Sequence, residues 1–323
     1  LGALADTMGT ATFSSGLAAI NNYGARLAAR ALAEIPDGCY RCSDVMDDDG
    51  MGRQDIPIVV TIRVSQGRVE VDFEGTAAQV AGNINCPLSV AAAGVLYVFR
   101  CLMPAHTPAC AGSFANIRLS APTGCLVNAR RPAAVAAGNV ETSSRIVDVV
   151  TGALAQALPD SIPAASQGSM NNLAMGSRAA DRPWDYYETI GGGTGGSARG
   201  PGISAVQSHM TNTLNTPVEV LEMEFPLRVL RYQLRTGSGG KGRYPGGDGL
   251  IREFEFLQPT AVTLLTERRR HSPWGLQDGG PGLRGENRCG ARLLPGKVSL
   301  ELAAGDCLTV CTPGGGGWGR EDG

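Results

Sequence analysis

An excess of charge of either sign is missing from this chain, whose 28 Lys and Arg are set against 30 Asp and Glu. Such a balance leaves no electrostatic footprint for gripping nucleic acid or an anionic membrane surface, so neither is expected as a partner. Long apolar runs are missing too. The longest, Leu88 to Met103, is interrupted by Arg100. It falls short of the ~18 to 20 residues that span a bilayer, so it reads as a buried helix and no membrane segment is expected. No basic segment followed by an apolar stretch opens the chain, and no Asn-x-Ser/Thr acceptor occurs, which leaves the cytoplasm as the expected location. A disulfide scaffold is also excluded: nine cysteines is an odd count at irregular spacing, and most are expected to be reduced, buried thiols. Cys39 and Cys42 form a C-x-x-C without a second pair or a histidine at ligand spacing, which argues against a metal or redox role. The chain opens on Leu1 rather than methionine, which suggests a further N-terminal segment.

What is present suffices for one large or two medium cores: 323 residues, 43% of them hydrophobic. Apolar residues at helical spacing predict a helix over Ser14 to Ile35, stopped by Pro36, Asp37 and Gly38, and another over Leu88 to Met103. A third runs from Glu141 to Leu158, with Asn139 as its cap and Pro159 as its end. Alternation on either side of Gln66-Gly67 predicts a β-hairpin from Ile58 to Val64 and Arg68 to Phe73, and a strand follows at Ile117 to Leu119. The run Asp47-Asp48-Asp49-Gly50 lacks EF-hand ligand spacing and reads as a solvated loop. Past Pro163 glycine clusters separate strand-like segments at Val218 to Leu234, Leu250 to Leu257, Val262 to Thr266, Val298 to Leu302 and Leu308 to Cys311. The expected class is α+β, with a helical and hairpin-containing half at residues 1–160 and a β-rich, glycine-loop half at residues 161–323. The boundary is soft because no linker separates the halves.

Four stretches carry candidate chemistry. Tyr187-Glu188-Thr189-Ile190 leads into Gly191-Gly192-Gly193-Thr194-Gly195-Gly196, placing a carboxylate and a hydroxyl before a backbone that a ligand can approach closely; a flexible surface loop is the competing reading. Neither this run nor Gly239-Gly240-Lys241-Gly242 is a Walker A loop, so nucleotide hydrolysis by this chain alone is not expected. Ser208 to Glu219 crowds His209, Thr211, Asn212 and Asn215 into twelve residues, and His209 fits a general base, a proton donor, a metal ligand or a simple hydrogen-bonding partner. Gly138-Asn139-Val140-Glu141-Thr142 opens the third helix, where free amides favour either an anion or ordinary capping. Ala164-Ala165-Ser166-Gln167-Gly168 lacks the first glycine and the preceding strand of a nucleophile elbow. Glu267-Arg268-Arg269-Arg270-His271 suits an anion site, a solvated strand end or a subunit contact equally.

In order, these segments resemble the hydantoinase B/5-oxoprolinase family, the B-type subunits of hydantoinases, 5-oxoprolinases and related ketone carboxylases. The resemblance rests on Ala136-Ala137-Gly138-Asn139-Val140-Glu141-Thr142-Ser143, on Ala165-Ser166-Gln167-Gly168-Ser169-Met170-Asn171-Asn172, on Tyr187 to Gly193 and on His209-Met210-Thr211-Asn212-Thr213-Leu214-Asn215-Thr216-Pro217. It continues through Arg243 to Gly249, Glu267 to Arg270 and Pro273 to Leu276, and ends at Thr312 to Gly319. It implies part of an ATP-dependent cyclic-amide hydrolase, with ketone carboxylation or a purely structural or assembly role as the alternatives. A hydantoinase A-type partner would bind ATP and phosphorylate a small cyclic amide, and the B-type part would complete ring opening, often with a divalent metal. The family's His- and Asp-rich metal segment has no match here, so the metal ligands are expected outside this chain, for example on a separate N-terminal B-type segment. The resemblance makes His209, Glu188 and Glu141 the catalytic candidates, with His209 as proton carrier. Asn139, Thr142, Gly191, Gly192, Gly193, Thr211, Asn212 and Asn215 become candidate substrate contacts, with Asn212 and Asn215 as oxyanion donors and the three glycines as the close-approach surface.

Overall fold

The computed structural model describes residues 1–178 and 183–321. Helices α1 (Gly2–Met8) and α2 (Thr10–Ala33) lead into β1 (Gly38–Asp48), β2 (Gln54–Ser65) and β3 (Arg68–Asp72). After α3 (Leu88–Leu102), strand β4 (Ile117–Ser120) pairs parallel to β3 and completes a sheet of order β1-β2-β3-β4. Helix α4 (Ser143–Leu154) crosses behind it. The second half holds β5 (Asn172–Ser177), β6 (Trp184–Thr189), α5 (Val218–Glu224), β7 (Leu227–Arg235), β8 (Gly249–Phe256), β9 (Thr260–Leu265), β10 (Glu286–Cys289), β11 (Arg292–Leu294), β12 (Lys297–Leu302) and β13 (Cys307–Cys311). These strands form two sheets of order β11-β10-β13-β8-β7 and β12-β9-β5-β6, giving the expected α+β class. No helix among the described residues is long and apolar enough to cross a membrane.

Two apolar cores follow from the patterning. The first gathers Leu32, Ile56, Ile58, Val60, Ile62, Val71, Phe99, Ile146 and Val150 from α2, the first sheet, α3 and α4. The second gathers Leu173, Leu250, Phe254, Phe256, Val262, Leu264, Leu308 and Val310. Met210, Leu265 and Leu276, from the second half, pack on the first core, so both halves contribute to it. Helix α4 is buried on every side, including Ser143, Arg145 and Asp148, because α3 covers one flank and β1 and β2 the other. Gly94 of α3 brings that helix against Ile146, where a Cβ would lie 3.0 Å from Cγ2.

A further region is filled by main chain. Segments 191–196, 238–249, 273–282 and 312–319 run side by side and exchange backbone hydrogen bonds: Gly196 to the Gly316 carbonyl (2.9 Å), Gly247 to Thr194 (2.9 Å), Gly315 to Gly247 (2.9 Å) and Gly317 to Gly280 (2.8 Å). A Cβ at Gly193 would overlap the carbonyl oxygen of Gly247, and one at Gly314 would overlap that of Ser238. Only glycine lets backbones approach so closely.

Several sequence expectations are corrected. The acidic run is not a solvated loop: β1 extends through Asp48, and Asp47 and Asp49 are buried. Asn139 does not cap α4; it is exposed on an irregular π-turn, Gly138–Thr142, that leads into the helix at Ser143. Val218 to Glu224 is the helix α5 rather than strand, entered through Pro217, whose fixed φ suits a helix start. The run after Tyr187 is not a surface loop, since β6 carries Glu188 and Thr189 inward and Ile190 to Gly193 are buried.

Candidate active site

The end of β1, helix α4, the turn after β9 and the start of β12 bring acids and bases together away from solvent. Arg145 donates to Asp44 (3.1 Å) and Glu267 (3.0 Å), and Arg268 to Asp44 (2.7 Å) and Asp148 (2.5 Å). Lys297 closes the group on Glu267 at 2.5 Å. Burial by itself raises the Asp44 carboxyl, but the guanidiniums of Arg268 and Arg145 outweigh it and hold that group well below the usual range. Arg268 has a left-handed backbone (φ 61°), costly for a non-glycine residue. The Asp47 carboxylate fixes that turn by accepting the amides of Arg269 (2.5 Å), Arg270 (3.1 Å) and His271 (3.2 Å). The turn sends Arg268 inward and Arg269 toward an open cleft.

Glu141 borders this group from the π-turn before α4, a kind of helical irregularity that recurs at functional sites. Its Oε1 accepts the Met170 amide (3.0 Å) and the Asn172 Nδ2 (2.7 Å), whereas Oε2 is buried without a partner among the described residues. Burial, aided by the charge of Glu267 and opposed by Lys297, lifts its pKa from 4.5 to about 7. Asn172 in turn accepts the Tyr187 hydroxyl at 2.5 Å. Tyr187 is 57% exposed and lines a cleft of about 450 Å³ with Met175, Ser177, Tyr186 and Thr263. A solvent-facing phenol is thus joined through one carboxamide to a buried carboxyl that changes protonation near neutrality.

Alternation along β6 turns Glu188 to the opposite face from Tyr187. There Arg252 of β8 reaches Glu188 Oε1 at 3.3 Å and Oε2 at 3.4 Å. Tyr186 (2.9 Å) and the Asn215 Nδ2 (3.1 Å) donate to Oε2. The Arg252 guanidinium lies 4.1 Å from the centre of the Tyr232 ring, and Asn215 also donates to the Thr189 carbonyl at 2.9 Å. His209, left-handed at φ 56°, stands apart: its Nδ1 is 3.4 Å from the Tyr97 hydroxyl of α3, and burial lowers its pKa, favouring the neutral ring.

Of the expected site residues, Glu188 and Asn215 meet directly, while Glu141 and His209 belong to separate hydrogen-bond groups. Thr211 folds back on the Ser208 carbonyl (2.9 Å), and Asn212 is exposed. Thr142 is buried and donates to the Ile84 carbonyl at 2.5 Å; Asn139 is exposed, and its carbonyl accepts the Ser143 hydroxyl at 2.7 Å. The close approach at Gly191 to Gly193 is made by the protein itself: the Gly192 amide goes to Val206 (3.0 Å), the Gly193 amide to Pro313 (3.1 Å), and a Cβ at Gly191 would be 3.0 Å from Val206. Sequence reasoning misses Arg252, Asp44, Asp148, Asn172 and Lys297. Arg252 is recognisable, since it occupies the apolar phase of Leu250, Phe254 and Phe256 on β8.

A divalent metal does not fit the residues described. No three His, Cys, Asp or Glu side chains among them form a metal-holding group, and the clustered carboxylates Asp44, Asp148 and Glu267 are already paired with Arg145, Arg268 and Lys297. Cys39 and Cys42 lie three residues apart on β1, which places them on opposite faces of the strand.

This α+β architecture is shared with the ATP-dependent caprolactamase from Pseudomonas jessenii, at a TM-score of 0.85 and 24% identity over 98% of this chain and 57% of that one. A family profile described as Hydantoinase B/oxoprolinase matches residues 1–321, and the chain belongs to that family. It is 43% identical over 281 residues to 5-oxoprolinase 1 of Arabidopsis thaliana, covering 85% of this chain and 21% of the plant protein. It is also 30% identical over 317 residues to the putative B-type subunit of a D-/L-hydantoinase from a Pseudomonas species, covering 93% of this chain and 53% of the relative. The chain therefore spans about half or less of the length of these curated relatives.

Proposed function

We propose that this chain is a portion of the B-type subunit of an ATP-dependent cyclic-amide hydrolase, opening a hydantoin-like or 5-oxoproline-like ring together with an ATP-binding A-type partner. The reading rests on the family match over residues 1–321, in which a 43% identical relative is named a 5-oxoprolinase and a 30% identical one a putative hydantoinase component of B type. ATP is assigned to the partner, and the divalent metal to residues outside those described.

In this scheme the ring carbonyl oxygen takes the γ-phosphoryl group of ATP, leaving ADP and an O-phosphorylated imidate. One water adds to the activated carbon and the C–N bond breaks; the ring nitrogen takes both protons of that water and leaves as an amine, and the carbon remains as an acyl phosphate. A second water releases phosphate and a carboxylate. Both additions need a group that accepts a proton from water, and the first also needs one that returns it to nitrogen. Neutral His209 suits the first task, and Glu141, titrating near 7, suits either direction. Asn212 is exposed and free to donate to an oxyanion, whereas Asn215 is committed to Glu188 and Thr189 and acts as a positioning residue.

The test is affinity capture of the protein from its native host, with identification of co-purifying chains and an ATP-dependent hydrolysis assay on hydantoin and 5-oxoproline. Recovery of an ATP-binding partner with ring opening that requires ATP is expected, and His209→Ala in that complex should abolish turnover while leaving thermal unfolding unchanged. Bicarbonate consumption in place of ring opening, or full activity of the complex without this chain, would overturn the proposal.

A further inference from the structure

The buried and half-buried arginines around the charged group fall into two kinds. Arg145, Arg252 and Arg268 each reach a carboxylate directly. Arg269 does not: its Nη1 donates to the Asn171 Oδ1 (2.6 Å) and the Glu267 carbonyl (2.8 Å), and its Nη2 to the Asn287 Oδ1 (2.9 Å), all uncharged acceptors. Its Nε is buried with no partner among the described residues. Burial pushes its pKa down to about 10 against the opposing charges of Glu141 and Asp47, which lie near without bonding to the guanidinium, and the like charge of Arg235 adds to the fall. A half-buried guanidinium with no carboxylate in direct contact is a standing cost to the fold.

The chain makes room for that cost. A Cβ at Gly285 would lie 2.7 Å from both Cζ and Nη1 of Arg269, so glycine is what lets the guanidinium rest against this backbone. Arg269, Asn287 and Gly285 line a cavity of about 430 Å³ that also bears Arg270, Arg284 and Arg288. Such a volume is in the range of small-molecule sites, roughly 300 to 1,000 Å³. The two carboxylates on the lining are already engaged: Asp48 stands 3.7 Å from Lys297, and Glu286 serves Arg288 (2.8 Å) and Arg235 (3.7 Å). Arg284 donates only to the Arg270 carbonyl, at 3.1 Å, and has no carboxylate partner among the described residues.

We infer that the cleft lined by Arg269, Arg284 and Arg288 is a recognition site for a small anion, a molecule bearing a carboxylate or a phosphate. The anion would supply the direct anionic partner that Arg269 lacks, in a pocket where planar guanidinium groups suit either headgroup. The site is separate from the Glu188 and His209 groups and does not rest on the ring-opening reading.

The experiment is calorimetric titration of the full chain with inorganic phosphate and, separately, with succinate, at ionic strength held constant with sodium chloride. Saturable binding of at least one is expected: phosphate alone assigns a phosphorylated ligand, succinate alone a carboxylate, and both a general anion site. Arg284→Gln, an exposed change, should weaken binding at least about tenfold. Gly285→Ala, which displaces Arg269 without changing charge, should do the same, whereas Arg63→Gln on the distant β2 should leave binding unchanged. Thermal unfolding of each variant confirms that it is folded. Absence of saturable binding by both ligands, or equal binding by folded Arg284→Gln and the unaltered protein, would sink the inference.

Discussion

Two interior regions of this molecule are filled by opposite means. Around β2 and α4 the space is taken by side chains: Ile56, Ile58, Val60 and Ile62 project in phase from the strand onto Ile146 and Val150. Among the glycine segments it is taken by backbone, where glycines at 193, 195, 246, 247 and 315 would each drive a Cβ into a neighbouring carbonyl. The first kind of core is governed by volume and survives shape-conserving change. The second is governed by exclusion, because at 193, 246, 247 and 315 the atoms in the way are the same carbonyls that accept the hydrogen bonds. The largest effect expected in the molecule is therefore Gly193→Ala. It adds one methyl group, yet it should prevent accumulation of folded protein, read as soluble yield and loss of a cooperative thermal transition. A stable Gly193→Ala protein would mean that the interleaved segments have slack and that the contrast is false.

The buried charges make a second comparison with the apolar core. Arg145 is fully buried and holds two carboxylates, so Arg145→Met leaves Asp44, Asp148 and Glu267 to Arg268 and Lys297 alone, one positive charge short, and should cost about 3 to 5 kcal/mol. Ile62→Val, equally buried in the first core, should cost only about 0.5 to 1.5 kcal/mol. Urea unfolding of both variants at pH 7 measures the ratio; equal losses would show that Arg145 contributes packing rather than charge pairing.

These contrasts also explain what the sequence discloses. Strands β3, β4, β8, β9, β12 and β13 and helix α3 lie within a residue or two of where alternation and helical spacing place them, because their side chains carry the period. The glycine segments carry no period, and the partners that bury them are scattered from residue 164 to 319. The acidic run at Asp47 misleads for a related reason: its carboxylate is satisfied by amides more than 200 residues away, a pairing that local composition does not record. Within the candidate site, Glu188 and Asn215 are both legible in the sequence and do meet, since each lies in a polar cluster denser than a structural segment needs. Their partner Arg252 escapes notice because one charge in an apolar strand looks like a solvent-facing residue until the alternation is followed through it.

Acidity separates two carboxylates that share the same buried neighbourhood. Asp44 is held below its ordinary range, so its contribution is present above the unfolded pKa and is lost as pH falls. Glu141 behaves in reverse. Its folded pKa of about 7 exceeds the ordinary 4.5, so the folded state holds the extra proton between those values. The resulting stability is complete below about pH 4.5 and disappears as pH rises through 7, a change of about 3 kcal/mol. Subtracting wild-type from Glu141→Gln unfolding free energies should therefore give a difference that climbs between pH 4.5 and 8 in favour of the variant. A flat difference would mean that Glu141 stays ionised in the fold and is unsuited to proton transfer near neutrality.

The smallest effect is the one that best sharpens the first comparison, because it lies inside the glycine region. Gly280 takes part in the same exchange of hydrogen bonds, donating to Lys241 at 2.7 Å and accepting from Gly317 at 2.8 Å. A Cβ there would nevertheless lie 3.4 Å from the nearest atom, the Lys241 carbonyl oxygen, which is ordinary contact. Gly280→Ala should change stability by less than about 0.5 kcal/mol, with reduced freedom of the unfolded chain offsetting any tight contact. If exclusion by backbone is what these segments are built on, alanine at 193 and alanine at 280 must differ by the whole stability of the protein although both replace a glycine in the same layer. Comparable damage from Gly280→Ala would instead make chain flexibility the reason for glycine throughout the region, and the close approaches incidental.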